Sequence, residues 1–198
     1  MTTTFCQTVD RHLTPVRRLV LVLVLLTLPL LQMVWRGEQI LHYGTKVVLK
    51  TAPVDPRSLF QGDYVILNYE ISRIDRDFIG ERERAIEINT PVYVLLQKAA
   101  DDESWKVSRA SLTPPGYVGD KEILLKGHTQ RPTPAGNGDL FVAYGIESFF
   151  ITENTGHMVE RNAARLRVEA YISSDGEARI GQLLLDGKPI LAPGGLNE

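Results

Sequence analysis

Hydrophobic and polar positions change period once along the chain, just past residue 37. From Leu19 to Trp35, seventeen consecutive residues carry no charge and nearly all are apolar, directly behind Arg17 and Arg18. At about 1.5 Å per residue this run is about 25 Å long as a helix, the short end of a bilayer span. Thr14 followed by Pro15 is a helix start, a cap and a first-turn proline, and lengthens the helix to about 21 residues, enough to cross. Pro29 predicts a kink that membrane helices tolerate. The paired arginines predict a cytoplasmic N-terminus, with Trp35 at the far interface. A cleaved signal peptide is the competing reading, but its apolar region ends in small residues. Here the run ends Leu30-Leu31-Gln32-Met33-Val34-Trp35. A twin-arginine export signal fits the flanks of Arg17-Arg18 poorly, and a soluble helix apolar on all sides needs a large surrounding core. The pattern therefore predicts a cytoplasmic tail at 1–18, a signal anchor at 19–35, a juxtamembrane linker at 36–44 and an extracytoplasmic domain at 45–198.

Beyond the anchor the pattern alternates. Lys46 to Thr51 reads as a strand, and Tyr64 to Ile71 as a stronger one, with Val65, Leu67, Tyr69 and Ile71 on one face. Val92–Leu96 and Trp105–Ser108 flank a polar turn and predict a hairpin. Further strands are expected at Ile123–Lys126, Leu140–Tyr144, Arg167–Ile172 and Ala178–Leu184. The last two bracket Ser173-Ser174-Asp175-Gly176, whose Asp-Gly pair suits a tight turn. Helices are expected over Arg76–Ile88 and Thr152–Arg165, and 130–138 reads as a loop. The fold class is mainly β, a sandwich or open barrel of about eight strands with one or two short helices, behind one N-terminal transmembrane α-helix.

Charge sharpens the picture. Residues 1–37 balance at +3 and the remainder at −5. After the anchor about 160 residues remain, enough for one core of ordinary size. A mildly acidic domain argues against nucleic-acid or anionic-lipid binding. Cys6, the single cysteine, lies on the proposed tail, so no disulfide forms within one chain. An idle thiol is the simpler reading of it than an acylated one.

The most informative local motif is Gly62-Asp63-Tyr64-Val65-Ile66-Leu67-Asn68-Tyr69. Gly62 suits a tight turn into a strand, and Asp63 can accept from nearby backbone amides. Leu67 belongs to the core. Tyr64 and Tyr69 fall on opposite faces, each able to pack its ring and place its hydroxyl on a polar group. A structural scaffold is the first reading. The second is a recognition surface made of Asp63, Tyr64 and Tyr69 with Asp55 and Arg57 nearby. The octet resembles, position for position, the pattern that names the GDYXXLXY family of membrane-anchored bacterial proteins. The segments 54–61 and 144–150 are similar to that family too. The resemblance implies a membrane helix, a β-rich domain, no established biochemical activity, and a multi-pass membrane protein as partner.

Catalytic chemistry finds little footing. One membrane helix, a β-rich domain and a Gly-Asp step into a strand superficially resemble type I signal peptidases, which pair a serine with a lysine base. Ser58 with Lys98, Lys106, Lys121 or Lys126 would be the counterpart, but the Ser-Met-x-Pro arrangement is missing and Ser58 stands too close to Gly62. His128 and His157 sit in no zinc-binding spacing, so no metal or cofactor is assigned. Glu147, among apolar neighbours, would become an acid or base if buried. Pairing with Arg165 or Arg167 is the simpler expectation. The run Glu81–Arg84 reads as a solvated, self-paired face. Of Phe149-Phe150, one residue is expected in the core.

These readings converge on a single-pass protein of the bacterial inner membrane. Its expected role is a non-catalytic accessory or recognition subunit acting with an envelope membrane protein. The candidate binding residues are Asp55, Arg57, Asp63, Tyr64, Tyr69 and Glu147. The alternative is an envelope hydrolase, or a small-ligand or peptide-binding domain.

Overall fold

The computed structural model describes residues 14–52, 64–79, 85–100, 102–136, 138–150, 162 and 165–190. Two compact units divide the chain, 1–39 and 40–198. Helix α1 (Pro15–Tyr43) starts where the Thr14-Pro15 pair predicts, with the Arg18 amide donating to the Thr14 carbonyl at 3.2 Å. The Thr27 hydroxyl bonds back to the Leu23 carbonyl at 2.9 Å, so this polar group is satisfied within the helix. Its apolar side chains, Leu19 to Trp35, are exposed. The helix also runs through 36–43, the stretch read as a linker, because nothing there stops it before Gly44. The Gly44 amide donates to the Ile40 carbonyl at 2.9 Å, and Ile40 is buried.

Among the described residues eleven strands follow: β1 (Thr45–Lys50), β2 (Tyr64–Ile66), β3 (Arg73–Ile74), β4 (Pro91–Lys98), β5 (Trp105–Ser111), β6 (Glu122–Thr129), β7 (Leu140–Ala143), β8 (Ser148–Phe150), β9 (Leu166–Ile172), β10 (Ala178–Leu185) and β11 (Lys188–Ile190). They form a four-stranded sheet β1-β9-β10-β11, a five-stranded sheet β3-β7-β6-β4-β5 and the ribbon β2-β8. The pairings between these strands are antiparallel. Isolated bridges from Val48 to Ser104 and from Thr51 to Tyr69 tie β1 to the start of β5 and to the segment after β2.

Alternation explains why these segments are strands. On β1, Val47 and Leu49 are fully buried while Lys46 lies in solvent. Val94, Leu125, Val142 and Val168 fill the same core from other strands. Seven of the eight expected strands coincide with observed ones, and the eighth, 64–71, is a strand only over Tyr64–Ile66. The three additional strands, β3, β8 and β11, have two or three residues each, too short to carry a periodic signal. At the β9–β10 turn Gly176 takes φ of +88°, the conformation that the Asp-Gly pair predicts.

Two elements differ from expectation. The segment 64–71 is not one strand: β2 stops at Ile66, Tyr69 bridges to Thr51, and Glu70–Ser72 is a 3-10 turn. Its burial alternation survives, with Val65, Leu67, Tyr69 and Ile71 all in the core. Among the described residues, the helix expected at 76–88 is a single 3-10 turn, Arg76–Phe78, capped by Asp75. Ile79 and Ile86 instead make bridges to Ala110 and Thr133. Backbone pairing with neighbouring segments has replaced the bonds a helix would make. The helix expected at 152–165 lies outside the described residues except at 162 and 165, and the run Glu81–Arg84 lies outside them altogether.

Candidate functional site

Three of the six candidate residues, Asp55, Arg57 and Asp63, lie outside the described residues, as do Ser58 and His157. Tyr64 is described by its backbone, which pairs with Phe150 at the start of β2. Tyr69 and Glu147 are brought together, and they lace two segments to each other. Tyr69 is buried, and its hydroxyl donates to the Ile146 carbonyl. Tyr144, from the other segment, returns the bond: its hydroxyl donates to the Ile71 carbonyl at 2.6 Å. Between them the Leu67 amide donates to the Glu147 carbonyl at 2.7 Å.

The Glu147 side chain stays within its own turn. Its two carboxylate oxygens accept from the Tyr144 amide at 2.5 Å and the Gly145 amide at 3.0 Å. Pairing with arginine is thus corrected: Arg165 pairs with Asp186 and Arg167 with Asp102. Two amides of a tight turn sit within reach of the carboxylate three residues on, which is shorter-range than any cross-sheet ion pair. Burial, and then the Glu147 charge, push the Tyr69 and Tyr144 phenols well above the usual tyrosine range. Both remain neutral donors at physiological pH. The arrangement ties the two segments together through hydrogen bonds to backbone groups. Phe149 packs on the core beside it and Phe150 points to solvent. The four lysines named as candidate bases, Lys98, Lys106, Lys121 and Lys126, are all exposed, as is His128. Among the described residues no group of three His, Cys, Asp or Glu side chains could hold a metal ion.

A polar cleft of the β unit lies elsewhere, and neither Tyr69 nor Glu147 is among its described lining residues. It has a volume of about 550 Å³ and is lined by Lys50, Thr51, Glu70, Arg165, Arg167 and Asp186, among others. Lys50 and Arg167 are cross-strand partners on β1 and β9. Asp102, from the β4–β5 turn, joins them: Lys50 Nζ lies 2.7 Å from one carboxylate oxygen, and the Arg167 guanidinium bonds both oxygens at 2.8 and 3.3 Å. The Lys50 ammonium, with the Arg167 guanidinium, holds the Asp102 carboxyl far below the usual carboxylate range. Further along the same two strands, Glu169 accepts from Lys46 at 2.6 Å, from Tyr171 at 3.0 Å and from Gln182 on β10 at 3.1 Å. Sequence reasoning missed this face. The signal available was the alternation of Lys46 and Lys50 on β1 with Arg167, Glu169 and Tyr171 on β9. Such a pattern marks an outer sheet face, not a cleft.

No curated protein and no solved structure matches the chain. The family model described as GDYXXLXY protein matches residues 26–183, four-fifths of the length, and the chain belongs to the GDYXXLXY family.

Proposed function

We propose that this protein is a non-catalytic, membrane-anchored accessory or recognition subunit that works beside a multi-pass protein of the bacterial inner membrane. The observation that carries the reading is α1, whose most apolar eighteen-residue window has a mean hydropathy of 2.1 and no buried residue. A helix so apolar, with its side chains in the open, needs lipid or another helix around it. The balance of +3 over residues 1–37 and −5 beyond them supports a cytoplasmic N-terminus and a β unit outside. A scaffold role for the octet is supported by the bonding of Tyr69 and Glu147, whose polar atoms serve backbone groups of this chain. In this reading the β unit contributes surface and the anchor keeps that surface beside its partner.

The test is cross-linking in intact membranes followed by mass spectrometry of the recovered adducts. A specific multi-pass membrane protein, recovered with the full chain and lost when α1 is replaced by an unrelated anchor, is the expected result. Recovery of no specific membrane partner would sink the accessory-subunit reading.

A further inference from the structure

We propose that the cleft between β1, β9 and the β10–β11 turn binds a small zwitterion, an amino acid or short peptide. Its free carboxylate would sit on Lys50 and Arg167, and its free amine would face Glu70.

Donor capacity gives the first argument. An ammonium carries three N–H donors and a guanidinium five. Asp102 accepts from Lys50 through one contact and from Arg167 through two. Among the described residues the remaining donors of both side chains have no partner. Asp102 is not itself on the cleft lining, whereas Lys50 and Arg167 are. It fixes the two cations through these contacts without using all of their donors. Two cations share one carboxylate, so this part of the lining carries a surplus positive charge.

A charge of the opposite sign lies on the same cleft. Glu70 lines the same cleft, is exposed, and has no ion pair or hydrogen bond among the described residues. Its position follows from the bridge between Thr51 and Tyr69, which brings the 3-10 turn at 70–72 beside the end of β1. Arg165 and Asp186 also line the cleft but neutralise each other. The cleft therefore offers one surplus charge of each sign. A polyanion such as phosphate gains at Lys50 and Arg167 but is opposed by Glu70, while a zwitterion satisfies both. The volume of about 550 Å³ falls within the range of small-molecule sites. Because Asp102 already orients Lys50 and Arg167, little side-chain freedom remains to be lost on binding.

The test is calorimetric titration of the full chain in lipid nanodiscs. The probes are L-alanine, L-alanyl-L-alanine, L-alanyl-L-alaninamide, N-acetyl-L-alanyl-L-alanine and inorganic phosphate. Saturable binding of one of the two zwitterions is expected, and whichever binds tighter identifies an amino-acid or a peptide ligand. Removing the carboxylate or the amine should weaken binding by about tenfold or more, since each removes a charge-assisted contact. Glu70→Gln and Arg167→Met should each do the same. Glu70→Gln is the cleaner variant, because this exposed side chain has no ion pair or hydrogen bond among the described residues. Circular dichroism melting tests whether Arg167→Met, which also strips Asp102 of a partner, remains folded. Absence of saturable binding by either zwitterion up to about 10 mM would overturn the proposal, a concentration at which even a millimolar site is mostly filled. So would phosphate binding as tightly as the zwitterions, or affinity unchanged in Glu70→Gln.

Discussion

Tyr69 shows how far one residue can be read and where the reading stops. Alternation places it on the buried face, and a buried phenol needs a partner for its hydroxyl. That the partner is the Ile146 carbonyl, 77 residues along the chain, follows only from the fold. Tyr69→Phe leaves that carbonyl without its donor inside the core, and the expected cost is about 1–3 kcal/mol. Thermal melting of the full chain in detergent would register this as a lower midpoint with an unchanged far-ultraviolet spectrum. An unchanged midpoint would mean that the bond does not stabilise the corner. Glu147 teaches the complementary lesson. As a carboxylate among apolar neighbours it invited an arginine partner, but the amides of Tyr144 and Gly145 were closer. Local backbone donors compete with distant side chains at a residue's first turn, and composition does not register them.

Elements here are joined by contacts that one side chain controls. Asp102 fastens the β4–β5 turn to β1 and β9 through Lys50 and Arg167. Its carboxyl titrates below the ordinary value of 3.8, chiefly through the Lys50 hydrogen bond. A carboxylate depressed in the folded state stabilises it above the unfolded value, and the contribution is lost as pH falls toward the folded value. The thermal midpoint should therefore drop between about pH 5 and pH 2, and Asp102→Asn should flatten part of that slope. Parallel slopes for the two proteins would contradict the assignment. Close packing sets the other element-scale constraint. A Cβ at Gly127 on β6 would lie 2.5 Å from Val142 Cγ1 and 2.6 Å from the Ala143 carbonyl oxygen on β7. Gly127→Ala should then destabilise the sheet by about 1–3 kcal/mol, measured by chemical denaturation. A neutral result would show that β7 can move away.

For the whole molecule the testable property is its orientation. Cys6 on the proposed tail should resist a membrane-impermeant maleimide in intact spheroplasts and react after permeabilisation. A cysteine at the exposed position 106, Lys106→Cys, should react without permeabilisation. The reverse pattern would invert the topology. At this scale the sequence by itself determined that there is one apolar helix long enough to cross a membrane, followed by a mainly β domain. It also assigned most strands, their buried faces and the Asp175-Gly176 turn. These properties rest on local periodicity: 3.6 residues per turn for a helix, two for a strand, and the φ that glycine alone takes easily. Only the tertiary structure decided that α1 continues to Tyr43, that 64–72 breaks into a strand, a bridge and a turn, and that Ile86 pairs with Thr133 instead of entering a helix. It alone brought Lys50, Glu70, Asp102 and Arg167 together from four separate segments. Cross-strand register and long-range bridges are set by how the sheets pack, and no window of neighbouring residues carries that information.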